Sequence, residues 1–146
     1  MSSRPPSLQK IDHIHVFVSD RTAAEPWYQE VFGLTRDPEL EFWAVDGGPL
    51  ALANPEGTIH LALFEGSAQP CRSTIAFAVT ATDFVAWQTH LSRVFDNSIA
   101  PEDHGVAWSL YFSDPDGNPY EITSYDYVET LSMLGDRPEP ELSRLG

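Results

Sequence analysis

The same order of elements runs twice through this chain, and that repetition limits its fold more than any other feature. Ile11 to Asp20 (IDHIHVFVSD) alternates Ile14, Val16 and Val18 with His13, His15 and Phe17, the period of two of a half-buried strand. Ser19 or Asp20 can cap the next segment, Thr22 to Phe32, where Ala23, Trp27 and Val31, with Ala24 and Tyr28, recur at helical spacing before Gly33 stops it. Three strands are predicted next, at Glu41 to Val45, Leu50 to Ala53 and Thr58 to Phe64, separated by Asp46-Gly47-Gly48-Pro49 and Asn54-Pro55-Glu56-Gly57. The second half repeats the order. A strand at Thr74 to Thr80 leads to a helix at Asp83 to Val94, a weak strand near Ser98 to Ala100, and strands at Val106 to Phe112 and Tyr120 to Tyr125. The turn Asp114-Pro115-Asp116-Gly117-Asn118 divides the last two.

An α+β fold follows, with two βαβββ modules forming a cupped mixed β-sheet and helices on its outer face. Residues 1–10 are expected as a flexible tail and 11–125 as one domain, with modules at about 11–65 and 73–125. Residues 126–146 are expected as a short helix over Asp126 to Leu134 and a loose acidic tail. Trp27 and Tyr28 read as core residues. Of the strand aromatics Phe42, Trp43 and Trp108, one or two are expected at a pocket and the rest under helices.

Charge excludes some partners. With 22 acidic against 8 basic residues the formal net charge is −14, a field that repels nucleic acid and anionic membrane surfaces. No run of eighteen apolar residues occurs, and Met1 to Lys10 is polar and proline-containing, so a cytoplasmic location is expected. Cys71 is the only cysteine, which rules out an intramolecular disulfide and a thiolate zinc cage and leaves a buried or inert thiol.

Potential metal ligands fall on the strand faces that should point away from the helices. His13 shares its face with His15 and Phe17, His60 shares its own with Thr58, Ala62 and Phe64, and Glu121 alternates with Tyr120 and Ile122. Two neutral imidazoles and a carboxylate suit Zn(II), Ni(II), Mn(II) or Fe(II), with positions left for water and substrate. His15 reads as a pocket-lining group beside the ligands.

IDHIHVFVSD, the helix containing WYQEVFGL, and LYFSDPDGNPYEI together resemble the opening and closing motifs of the vicinal oxygen chelate superfamily, over Ile11 to Tyr125. That superfamily includes glyoxalases, methylmalonyl-CoA epimerases, extradiol dioxygenases, fosfomycin-modifying enzymes and bleomycin-binding proteins. The resemblance places His13 at the first-module opening ligand, His60 at the first-module closing ligand and Glu121 at the second-module closing ligand. It implies a divalent metal, a small oxygenated substrate and a homodimer. Tyr111 and His104 resemble residues that contact substrate and support catalysis in the extradiol branch. His15, Phe17, Thr74 and Ser109 are assigned to the substrate pocket. Thr74 departs from the pattern, because STIAF stands where many members open the second module with a histidine ligand.

The expected function is therefore a metal-dependent lyase, isomerase or extradiol-type dioxygenase that chelates neighbouring substrate oxygens. The alternative is a non-catalytic binding protein of the bleomycin-resistance type. A glutathione-dependent glyoxalase is disfavoured by the scarcity of basic residues near the proposed site. Fosfomycin modification is disfavoured by the lack of the basic and potassium-loop residues of that branch.

Overall fold

The computed structural model describes residues 4–66 and 71–136. The first module comprises β1 (Ile14–Val18), α1 (Arg21–Phe32), β2 (Thr35–Arg36), a 3-10 helix (Pro38–Ala44), β3 (Leu50–Ala53) and β4 (His60–Glu65). The second comprises β5 (Ile75–Ala78), α2 (Ala81–Val94), β6 (Glu102–Asp103), β7 (Trp108–Ser113) and β8 (Pro119–Ser124). The chain continues into α3 (Tyr127–Asp136). Each module forms its own four-stranded sheet, in the orders β1-β4-β3-β2 and β5-β8-β7-β6. In both, the opening strand pairs parallel with the closing strand and the other pairings are antiparallel. The expected cupped sheet is thus two hydrogen-bonded sheets in an α+β fold.

Local chemistry sets the helix ends. Asp20, in extended conformation, accepts from the N–H groups of Thr22 (2.9 Å) and Ala23 (3.3 Å), satisfying donors that have no partner within the helix. Gly33 closes α1 in the left-handed region (φ 71), which spares the cost a Cβ would meet there. Thr80 caps α2 by accepting from the Asp83 N–H at 3.2 Å.

Two predicted elements are displaced. Glu41 to Val45, expected as a strand, lies mostly within the 3-10 helix: Asp37 accepts from the Glu39 N–H and Pro38 occupies the first turn, a helical start. The strand expected near Ser98 to Ala100 forms instead at Glu102–Asp103, where the chain first reaches register with Ser109 and Trp108. In α1 the buried stripe is Ala24, Tyr28 and Val31, while Ala23 is exposed. Cys71, expected as a buried or inert thiol, is exposed. Most of the expected acidic tail lies outside the described residues.

Alternation along the strands supplies two apolar clusters. Val16 and Val18 of β1 join Leu50, Leu52, Leu61, Leu63, Ala24 and Tyr28, and Tyr120 of the second module enters this same cluster. Leu110 and Ile122 join Phe84, Leu91 and Trp108, together with Val31 from α1. Each cluster therefore contains a residue from the opposite module. At about 1.5–3 kcal/mol for each fully buried large apolar side chain, these shared residues hold the modules together. Trp108, buried and stacked on Tyr127 of α3 with ring centroids 5.6 Å apart, is a core residue. Among the described residues no helix is long and apolar enough to cross a membrane.

A polar clasp spans the same junction. The Asp114 carboxylate, nearly buried, accepts from the Tyr28 hydroxyl (2.6 Å), the Asn118 N–H (2.8 Å), the Asn118 side-chain amide (2.8 Å) and the Asp116 N–H (3.0 Å). Asn118 also donates to the Phe17 carbonyl at 3.1 Å, so the β7–β8 turn grips the end of β1. Tyr28 and Tyr120 share a hydroxyl contact of 2.8 Å, and burial is the chief cause that raises the pKa of both phenols far above the usual tyrosine range.

Candidate functional site

The first-module half of the site lies on the face of β1 and β4 turned away from α1. While Val16 and Val18 point into the core, His15 and Phe17 are exposed, and His13, one residue before β1, continues the same face. Asp12 Oδ2 accepts a hydrogen bond from His13 Nδ1 at 2.8 Å, which also holds the Asp12 carboxyl below its usual pKa. That bond leaves Nε2 of a neutral His13 as the lone-pair nitrogen, and it stands 3.1 Å from Nε2 of His15. The two rings stack with centroids 5.1 Å apart, and His15 rests on Phe64 at 4.7 Å. Phe17 stacks on the same Phe64 ring at 5.4 Å.

His60 opens β4, with Nε2 3.7 Å from Asp37 Oδ2. It shares with His13 and Asp12 a cavity of about 60 Å³, closed on one side by Leu40 and Trp43 of the 3-10 helix. The segment misread as a strand therefore forms the wall of the imidazole pocket. Phe42 and Trp43 are exposed there.

The second-module half is built on β7 and β8. Glu121 is flanked in register by Ala76 on β5 and Tyr111 on β7. Ser109 Oγ donates to Glu121 Oε2 at 2.6 Å, which fixes the carboxylate's orientation. The Tyr111 hydroxyl lies 2.9 Å from His104 Nε2, with the rings edge to face. Desolvation, then the negative charge of Glu121, raises the Tyr111 pKa, so the phenol keeps its proton at neutral pH. Thr74, exposed and one residue before β5, continues the face of Ala76.

Register shows how the two halves correspond. His15 pairs with Ala62 in the first module, and Ala76 pairs with Glu121 in the second. Aligning the opening strands, with His13 on Thr74 and His15 on Ala76, sets Ala62 on Glu121. His60 thus sits two residues before the residue that pairs as Glu121 does, on the same face but one row away. The structure groups His13 with His15 and His60, and groups Glu121 with Ser109, Tyr111 and His104. It does not unite the two groups: among the described residues no three His, Cys, Asp or Glu side chains are placed to hold a metal ion. Sequence reasoning missed Asp12, the partner of His13; the adjacent Asp-His pair was its signal. It also missed Asp37, whose partner His60 is far along the chain.

These features define a class: a two-module α+β protein with polar donors gathered on the helix-free faces of paired βαβββ units. The chain belongs to the Glyoxalase/Bleomycin resistance protein/Dioxygenase superfamily, whose family model matches residues 10–122. Solved structures share the fold at low identity. An integron cassette protein from the mobile metagenome of the Halifax Harbour sewage outfall is 17% identical, with 80% of this chain and 99% of that one covered and a TM-score of 0.64. A glyoxalase family protein from Bacillus anthracis is 23% identical, covering 84% and 99%, with a TM-score of 0.63. The fosfomycin resistance protein FosX of Listeria monocytogenes, solved with Mn(II) and sulfate, is 15% identical, covering 88% and 99%, with a TM-score of 0.60.

Proposed function

We propose that this protein is a cytoplasmic, metal-dependent enzyme that acts on a small, partly apolar molecule carrying two neighbouring oxygens, as a lyase, an isomerase or an extradiol-type dioxygenase. The observation that carries this reading is the second-module constellation: a carboxylate oriented by Ser109 at 2.6 Å beside a Tyr111–His104 pair at 2.9 Å. A carboxylate kept only for solubility has no need of a seryl donor set into the sheet.

The donor chemistry fits a divalent ion. His13 carries a carboxylate behind its Nδ1, the arrangement that orients a metal-binding imidazole and fixes its tautomer. His13, His60 and Glu121 would hold Zn(II), Ni(II), Mn(II) or Fe(II), and the ion would supply Lewis acidity toward the substrate oxygens. The imidazoles and Glu121 fall in separate halves of one chain, which supports a homodimer that brings the first-module face of one copy to the second-module face of the other. Tyr111 donates its hydroxyl proton to a substrate oxygen as charge develops there, and His104 Nε2, 2.9 Å from the phenol oxygen, delivers a proton to the phenolate that this leaves. Phe17, Phe64 and Trp43 receive the apolar part of the substrate, and His15, Thr74 and Ser109 complete the wall.

Elemental analysis of protein purified without chelator, beside His13→Ala and Glu121→Ala, tests this reading. Near-stoichiometric metal lost from both variants is the expected result. No metal after reconstitution with each of the four ions would refute it and favour a binding protein. Light scattering showing a monomer at micromolar concentration would remove the shared site.

A further inference from the structure

We infer that His15 is itself a metal ligand, and that it supplies the donor the first-module closing strand lacks at Ala62, in the row that matches Glu121. The inference rests on the metal-dependent reading above and extends its ligand set. Aligned in register, the two modules each carry one donor and one alanine in the row that contains Glu121. In the second module the donor is Glu121 on the closing strand and the alanine is Ala76 on the opening strand. In the first module the alanine, Ala62, is on the closing strand and the donor, His15, is on the opening strand. The donor has crossed the ladder, and the small Ala62 side chain leaves room for the imidazole beside it.

Side-chain geometry agrees. Residues i and i+2 of a strand project from one face, so His13 and His15 can address one point. Their Nε2 atoms are 3.1 Å apart. Two nitrogens bound to one ion at about 2.0–2.1 Å stand about 2.9 Å apart at a right angle and about 3.4 Å apart at the tetrahedral angle, and the observed separation lies between. Asp12 accepts from His13 Nδ1, leaving Nε2 as the metal-facing atom. The Phe64 ring, 4.7 Å from that of His15, holds the second imidazole in place. His13, His15, His60 and Glu121 would then give a divalent ion four protein donors, and the ion would supply Lewis acidity to a chelating pair of substrate oxygens.

The test is cobalt(II) titration of the metal-free full chain, followed by visible absorption and equilibrium dialysis, with X-ray absorption to count bound imidazoles. His13→Ala, His15→Ala and His15→Gln are compared with the wild type. Because His15 is exposed, circular dichroism should show each variant folded. The expected result is that both His15 variants weaken cobalt by more than the roughly 10–100-fold typical of groups that only support a ligand, and that the imidazole count falls by one. Wild-type affinity in His15→Ala, with binding lost in His13→Ala, would overturn the assignment and leave the metal-dependent reading standing. Recovery in His15→Gln alone would overturn it too, because the amide can replace a hydrogen bond to His13. A wild-type protein that takes up no cobalt would overturn both readings.

Discussion

Replacing Asp114 by alanine removes the acceptor shared by four donors at the junction of the modules. Two of them have other recourse, since the Tyr28 hydroxyl still meets Tyr120 at 2.8 Å and Asp116 is only half-buried. The Asn118 N–H is left buried without a partner, and its side-chain NH2 keeps only the Phe17 carbonyl, while its Oδ1 still accepts from the Cys71 N–H. A hydrogen bond to a charged acceptor contributes about 1.5–3 kcal/mol, and an orphaned buried donor costs about 1–3 kcal/mol. The expected loss is about 3–5 kcal/mol, a large part of the roughly 5–15 kcal/mol that a domain has in total. It should appear as a fall in Tm of about 10–15 °C. Tyr28→Phe removes one donor and should cost about 1–2 kcal/mol. The double variant should show coupling of about 1–2 kcal/mol, because Tyr28 has then already lost the same acceptor. Urea unfolding of the four proteins measures each quantity. A loss below about 1 kcal/mol for Asp114→Ala, or simple additivity with Tyr28→Phe, would refute the clasp.

Alkaline pH should act at the same junction. The Tyr28 and Tyr120 phenols have folded pKa values raised above the unfolded value near 10, so their contribution is fully present below pH 10 and is lost as pH rises past it. Denaturant midpoints measured from pH 8 to 11 should fall above pH 10, and Tyr28→Phe should flatten that fall; equal slopes would contradict the assignment. Gly48→Ala should disturb the imidazole pocket from a distance, because a Cβ there would lie 1.8 Å from the Trp43 carbonyl oxygen. Loss of about 1–3 kcal/mol and a shifted Trp43 emission are expected, while wild-type values of both would show that the 3-10 helix yields freely.

Which strand faces carry the polar donors was legible from alternation alone. Ile14, Val16 and Val18 against His13, His15 and Phe17 needs only the pleat. The row each donor occupies was not legible, because His60 and Ala62 lie two residues apart on one face and only pairing with β1, more than forty residues earlier, separates them. The 3-10 helix was misread for another reason: Phe42, Trp43 and Val45 have strand propensity, yet Asp37-Pro38 starts a helical turn before that propensity can act. The Asp-Pro-Asp-Gly-Asn turn could be read as a turn, whereas its grip on Tyr28 and Phe17 spans 86 and 101 residues and appears only in three dimensions.

The outer strands bear on how this molecule behaves in a crowded solution. β2 and β6, at the far margins of the two sheets, are two residues long, and three of their four residues are Arg36, Glu102 and Asp103. A neighbouring chain seeking to extend either sheet would find room for a single rung and would have to strip water from charged side chains to form it. These two margins therefore offer little template for fibrillar growth, which confines any extension of the sheets to the opposite edges, β1 and β5.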